Sequence, residues 1–337
     1  MSKPIIPMSL AMRATVALWS CQSRMPRHPS TTEYNDFVPL TIPCRPARGR
    51  RPAPKSAHAD TIDGMVTSPQ RRRSSVQITL EVVSTTWLSP GLVRVSLGGE
   101  AAKTFPVRPE TDTYAKLFFP PAGSTLQPPY DMAQLRETLP FEELPTMRTY
   151  TIRRVDTERG IVDIDFVVHG DTGVAGPWAA SAQPGDRLTM ASPGAGYSPD
   201  LEADERVLIG DESAIPAIAA ALESLPAGVS ATALIETRSA AHRIPLPDAG
   251  TVAWIDEDHD RPGANLVAAV EALDWPAGRV QVFAHGEREA MKALRPILAA
   301  RGVERRDLSL SGYWAYGRTE DTFQAEKRTP IGQIFAD

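Results

Sequence analysis

Near Pro199 the spacing of apolar residues changes, and that switch constrains the fold more than any other feature of the chain. Before it lie six short runs rich in β-branched and aromatic residues: Gln77–Val83, Gly91–Leu97, Tyr114–Phe119, Met147–Val155, Gly160–Val168 and Asp186–Met190. Alternation as strict as Gly160-Ile-Val-Asp-Ile-Asp-Phe-Val-Val168 sends successive side chains to opposite faces, so one face of each run can be buried. Pro/Gly turns separate the runs, with one loose stretch from Pro120 to Pro145. Six such strands predict a small antiparallel barrel. After Pro199, short buried strands at Arg206–Gly210, Ser230–Glu236, Thr251–Asp256 and Arg279–Ala284 are interleaved with helical segments at Ser213–Leu225, Ala264–Leu273 and Glu287–Ala300. Strands alternating with helices predict βαβ units and a parallel sheet. The expected class is therefore β + α/β. A six-stranded antiparallel barrel domain spans residues 74–200 and a parallel-sheet, nucleotide-binding-like domain spans 201–317. A leader, 1–73, precedes them and a tail, 318–337, follows.

Charge separates the leader from the rest. Residues 1–73 hold twelve Lys/Arg against four Asp/Glu, whereas the remainder holds 24 against 37. A body that acidic excludes a nucleic-acid partner, which needs a positive footprint. The leader carries ten prolines and no amphipathic period, and reads as disordered. Its apolar pieces are broken by Pro7 and Arg13, so they make neither a secretory core nor a membrane span. Leu18-Trp-Ser-Cys21 is a poor lipoprotein box, and Met65 heads a plausible translation start. Both cysteines, Cys21 and Cys44, lie in the leader. The rest of the chain cannot build a disulfide framework, a zinc–thiolate site or an iron–sulfur cluster of its own. This fits a reducing, cytoplasmic setting.

The chemistry starts at Arg148-Thr149-Tyr150-Thr151. In a strand Arg148 and Tyr150 share a face, a fixed cation beside a flat ring, with the Thr151 hydroxyl aimed elsewhere. That set suits a flat anionic cofactor with a diphosphate, a flavin. An exposed ion pair on a barrel strand is the plainer alternative. His169-Gly170-Asp-Thr172-Gly173-Val174-Ala175-Gly176-Pro-Trp178 ends one strand and opens a helix. Its glycines allow close backbone approach and Pro177 suits a first helical turn, so its amides can face an anion. His169 is either a flavin contact or a hydrogen-bonded turn residue. Gly210-Asp211-Glu212-Ser213 occupies the strand–turn–helix position where dinucleotide sites place glycines, yet it carries two acids that would repel a diphosphate.

These motifs resemble the siderophore-interacting protein family, the ferric-siderophore reductases of the ferredoxin-reductase superfamily. The likeness runs from about Val76 to Gly317. It rests on Ala115-Lys-Leu-Phe-Phe-Pro120, Arg148-Thr-Tyr-Thr-Ile-Arg-Arg154, Asp165-Phe-Val-Val-His-Gly170 leading to Gly176-Pro-Trp-Ala179, Gly210-Asp-Glu-Ser-Ala-Ile-Pro-Ala217 and Gly312-Tyr-Trp-Ala-Tyr-Gly317, in that order. The resemblance implies an FAD-binding barrel, a ferredoxin-reductase-type second domain and FAD-dependent reduction of Fe(III)-siderophore to Fe(II) in the cytosol. It implies that Arg148 meets the FAD diphosphate, that Tyr150 packs on the isoalloxazine and that Thr151 reaches the N5 region. No side chain then serves as the catalyst and no protein metal ligand is required.

Lys116, which matches a family lysine, is a substrate-side candidate with Arg153 and Arg154, since a ferric tris-catecholate is strongly anionic. The electron-donor region is Asp211, Glu212, Ser213, Arg238, Arg243, Tyr313 and Trp314. The family shares the acidic turn, so weak NAD(P)H binding and a ferredoxin donor are both open. Where many members carry an arginine this chain has Ala315, which touches siderophore preference. A general NAD(P)H–flavin or ferredoxin-type reductase and a flavin-free siderophore-binding protein are the alternative functions. The tail, with Phe323, Ile331 and Phe335, is expected to fold back as an extra helix that Pro330 interrupts.

Overall fold

The alternating, β-branched chain after Val76 forms a strand of 13 residues that overruns its expected end. In the computed structural model, which describes residues 76–170 and 173–335, β1 spans Gln77–Ser89. Two register shifts against β2, at Val82/Ser84 and Trp87/Ser89, let it bend as it runs on. The readings of the leader and of Thr172 lie outside the described residues.

The barrel comprises β1, β2 (Leu92–Gly98), β3 (Tyr114–Phe119), β4 (Thr146–Asp156), β5 (Ile161–Val167) and β6 (Arg187–Ala191). Its order is β1-β2-β5-β4-β3-β6, and antiparallel pairing of β6 with β1 closes it. All six strands expected from the period are present. Closure leaves no bare edge, and the inward residues Val95, Leu117, Ile152, Ile164, Phe166 and Met190 make a continuous core. Short helices α1 (Glu100–Lys103), α2 (Met132–Thr138) and α3 (Ala175–Ser181) interrupt the connections. Helix α2 was not expected, because it buries none of its residues and so has no apolar period to betray it. Asp131 starts it, its Oδ1 accepting from the amides of Ala133 and Gln134 at 3.1 Å each.

The second half is a five-stranded parallel sheet ordered β11-β10-β7-β8-β9. Its strands are β7 (Glu205–Gly210), β8 (Ala231–Thr237), β9 (Gly250–Asp256), β10 (Val280–Glu287) and β11 (Leu308–Trp314). The helices are α4 (Ile215–Ser224), α5 (Ala264–Ala272), α6 (Arg288–Ala300) and α7 (Glu320–Glu326). From β7 the chain winds out through β8 and β9, then returns past β7 to β10 and β11, so the topological switch lies between β7 and β10. Open α/β sheets bind ligands at such a point, beyond the strands' carboxyl ends. One core cluster joins the halves, bringing Leu92 and Tyr197 against Ile215, Ile218 and Phe283. None of the helices among the described residues is long and apolar enough to cross a membrane.

α5 begins on a buried acid. Glu236, at the end of β8, is 1% exposed and accepts from the amides of Gly263 (2.7 Å) and Leu266 (3.1 Å). Burial pushes its carboxyl up to about 7 from an ordinary 4.5. A carboxyl raised on folding favours the protonated native form. Its contribution is therefore complete below pH 4.5 and is lost as pH rises through about 7. Urea midpoints should fall for the wild type relative to Glu236→Gln between pH 5 and 8, by on the order of 1 kcal/mol or more. Parallel pH profiles for the two proteins would refute this.

Candidate functional site

Antiparallel pairing of β3 with β4 sets Ala115 opposite Tyr150, Lys116 opposite Thr149 and Leu117 opposite Arg148. Arg148 and Tyr150 thus share a face with core-lining residues, and Lys116 and Thr149 share the exposed one. The Tyr150 ring rests on Phe166 at 4.5 Å between centroids, and Phe166 rests on Trp178 of α3 at 5.8 Å. Trp178 also meets Phe119 at 5.5 Å, so its ring is turned to the barrel core and supports Tyr150 through Phe166. Burial, with Glu320 nearby, pushes the Tyr150 phenol up to about 12, and it stays a neutral donor at working pH.

β4 and β5 run antiparallel, and the Tyr150–Phe166 contact fixes which ends coincide. The turn after β5, with exposed His169 and Gly170, therefore stands at the barrel end that carries Arg148. Gly173 has φ 86°, a conformation that suits glycine, and Val174 leads into α3 with no side-chain cap on the helix amides. Ala175 is buried, and a Cβ on Gly176 would lie 3.1 Å from the Val167 carbonyl oxygen, so this glycine lets helix and strand close up.

The fork of Arg148 already grips an anion. Its Nη1 donates to the Met147 carbonyl (2.8 Å) and to Asp321 Oδ1 (3.0 Å), and Nη2 donates to Asp321 Oδ2 at 3.5 Å. Asp321 belongs to α7, the tail helix that the sequence anticipated. Thr319 caps that helix and Phe323 pins it at 1% exposure. Glu326 ties it to Arg288 and to Arg318. A carboxylate held by two guanidinium nitrogens is the arrangement in which arginine takes phosphate oxygens. With the Tyr150 ring and the uncapped start of α3, these residues fit a flavin dinucleotide.

The other candidates are distributed differently. Arg153 is the extra residue of a register shift in β4, and the shift aims it out of the sheet to Glu223 of α4 in a two-pronged ion pair. Arg154 pairs with Asp163 at 3.3 Å. Both arginines are occupied in holding elements together, and Lys116 is exposed with no ion pair among the described residues. The partner of Arg153 was not visible in the sequence, being 70 residues away.

At the switch point the acidic turn looks inward. Asp211 accepts from the amides of Ser213 (2.9 Å) and Glu287 (2.8 Å) and from Trp314 Nε1 (2.8 Å). Burial raises its carboxyl, and these donors oppose the rise. A Cβ on Gly286 would sit 2.5 Å from Asp211 Oδ2, so only glycine fits there. Glu212 accepts from the Arg238 amide and pairs with His242, both at 2.8 Å. Both carboxylates face protein donors. Arg243 is held by Asp256 at 2.6 Å, while Arg238 is exposed. Sequence reasoning missed His285, at the end of β10, which meets Tyr313 and Ser309; its place just before Gly286, at a strand's carboxyl end, was the available signal.

Comparison with known proteins agrees with this geometry. Residues 81–197 match the model of the siderophore-interacting FAD-binding domain, and 203–317 match that of the siderophore-interacting protein. An uncharacterised protein of Mycobacterium tuberculosis is 43% identical over 74% of this chain and 93% of its own length. The ferric vibriobactin reductase ViuB of Vibrio cholerae is 32% identical (76% and 96%), and an NADPH-dependent ferric-chelate reductase of Escherichia coli is 30% identical (73% and 96%). The crystal structure of a siderophore utilization protein from T. fusca superposes with a TM-score of 0.61 at 35% identity, over 72% of this chain and 94% of that one. A barrel carrying the Arg148–Tyr150 face, joined to a parallel sheet and matched along both halves, makes this chain a member of the siderophore-interacting protein family.

Proposed function

We propose that this chain is an FAD-dependent reductase of ferric siderophores that acts in the cytoplasm. The observation that carries the reading is the Arg148 fork, which holds a two-oxygen anion beside the Tyr150 ring. Arg148 binds the diphosphate, with the amides around Gly173–Ala175 on its other side. Tyr150, propped by Phe166 and Trp178, would pack against the ring system, and Thr151 would offer its hydroxyl to the N5 edge. Bound FAD supplies the single-electron chemistry that Fe(III) requires. Fe(II) is a weaker partner for hard oxygen ligands, so its release follows reduction. Lys116, on the outer face of β3, attracts the anionic iron complex and exerts its field without a bidentate fit.

Electrons reach the flavin from NAD(P)H or a ferredoxin. The inward-facing acids at the β7/β10 switch point, with Arg238 exposed beside them, favour a nicotinamide donor, as does the name of the Escherichia coli relative.

The purified protein should be yellow, with about one FAD per chain, and after anaerobic reduction its flavin should reoxidise on addition of ferric siderophores. A colourless protein that takes up no FAD would refute the reading and leave a siderophore carrier. Reoxidation only by generic acceptors would point to a general flavin reductase. Lys116→Ala should raise KM for a ferric tris-catecholate about three- to tenfold with FAD content unchanged; unaltered kinetics remove Lys116 from the site.

A further inference from the structure

Between the barrel and the outer strand of the sheet lies a cleft of about 580 Å³, lined on one side by Asp112, Tyr114 and Tyr197 and on the other by His285, Ser309 and Tyr313. One wall is a line of hydrogen-bonding side chains. Ser309 Oγ is 2.9 Å from Nε2 of His285, and Nδ1 of the same ring is 2.9 Å from the Tyr313 phenol oxygen. The Thr151 hydroxyl lies beside the Tyr313 phenol and opposes the rise that burial causes in it. Ser309, Ser311 and Tyr313 alternate along β11 and share a face, and β10 lies in register beside them with His285 opposite Ser311. Phe283 holds the imidazole, ring centroids 3.9 Å apart, and His285 is 4% exposed.

We propose that Tyr313, His285 and Ser309 form a proton relay between the Thr151 hydroxyl and this cleft. The inference rests on the flavin reading above, in which Thr151 meets the N5 edge. Each hydroxyl in the line is both donor and acceptor, and a neutral imidazole is one of each. A proton entering at one end therefore reverses every bond, exchanges the histidine tautomer and emerges at the other end with no charge left inside. Burial drives the His285 imidazolium down to about 3 and raises the Tyr313 phenol, so both stay uncharged and the transfer is concerted. A histidine needed only for packing requires one partner; here both nitrogens meet reversible ones.

The reaction supplies the proton. For every two Fe(III) reduced, two electrons leave the reduced flavin and one proton leaves its N5. That proton passes to the Thr151 oxygen as the Thr151 proton moves to Tyr313. The phenol proton goes to His285 Nδ1, the Nε2 proton to Ser309, and the Ser309 proton to solvent in the cleft. Asp112, a carboxylate on the opposite wall that accepts from the amides of Gly196 and Tyr197 at 2.8 Å each, is raised by burial and stands ready as a proton acceptor.

The test uses FAD-loaded protein, photoreduced without oxygen and mixed with ferricyanide, an outer-sphere acceptor that takes electrons but no proton. A pH-indicator dye follows proton release. His285→Gln keeps hydrogen-bonding groups yet cannot switch tautomers, and Tyr313→Phe cuts the line; both should retain FAD and release the proton about tenfold or more slowly. Imidazole added to His285→Ala should restore the rate through the cleft. Nitrogen-15 NMR of cofactor-free protein gives an independent reading: the two ring nitrogens of His285 should average between donor and acceptor shifts, and Tyr313→Phe should fix one tautomer. Should one variant fail to fold, the other and Ser309→Ala decide. Yellow variants with undiminished proton release overturn the relay and leave the flavin reading standing; a wild-type protein that takes up no FAD removes both.

Discussion

Arg148→Ala is expected to emerge from purification without its colour, with FAD affinity reduced about ten- to a hundredfold in a fluorescence titration. The range follows from the geometry. Arg148 is 15% exposed at its side chain and its two terminal nitrogens already present a fork. Hydrogen bonds to charged groups in such a setting contribute roughly 1.5–3 kcal/mol, and each 1.4 kcal/mol is about a factor of ten in binding. Losing the partner of Asp321 has little effect of its own, because that carboxylate is 61% exposed and water replaces the guanidinium. Arg148→Lys should recover only part of the affinity, since an ammonium is a point charge and cannot span two phosphate oxygens. Equal FAD content in wild type and Arg148→Ala would refute the assignment.

Asp211→Ala should produce the largest loss of stability. The carboxylate gathers the amides of Ser213 and Glu287, the Ser213 hydroxyl and the indole of Trp314, so truncation strands four donors at a buried crossing of β7, β10 and β11. Each unsatisfied buried donor costs about 1–3 kcal/mol, and the sum is about 3–5 kcal/mol after the surroundings relax. For a folded region of this size that lowers Tm by on the order of 10 °C. Asp211→Asn should cost less, since its amide still accepts although its NH2 faces donors. Calorimetric scans at one pH suffice, and a shift of under about 2 °C for Asp211→Ala would show that the hub is not structural.

Much of the architecture was legible because burial writes a period into the chain. β3 occupies the six residues that alternation marked, and β7 to β10 each begin or end within a few residues of their apolar runs. What was illegible has a common cause, which is distance along the chain. Arg153 looked like a free cation because Glu223 lies 70 residues away and nothing in the sequence pairs them. Arg148 and Asp321 are 173 residues apart. The acids of the Gly210 turn were read only as charges that repel a diphosphate because sequence does not show which way a carboxylate faces, and the amide and indole that Asp211 serves come from β10 and β11. Tyr313 was singled out for its place at a strand end, but its link to His285 required the parallel register of two strands. Local chemistry was visible, and the partners that decide its use were not.

If Arg148 takes the FAD diphosphate as proposed, its grip on Asp321 makes cofactor loading an exchange. A diphosphate entering the fork replaces a carboxylate already seated there, and the measured affinity is the difference between two anions bound to one guanidinium. Stray inorganic phosphate meets the same competitor, tethered and thus at high local concentration, so the tail acts as a threshold that only a ligand with further contacts can cross. FAD brings those contacts in its ring, over Tyr150. On that reading the tail helix α7 would favour a dinucleotide over a lone anion.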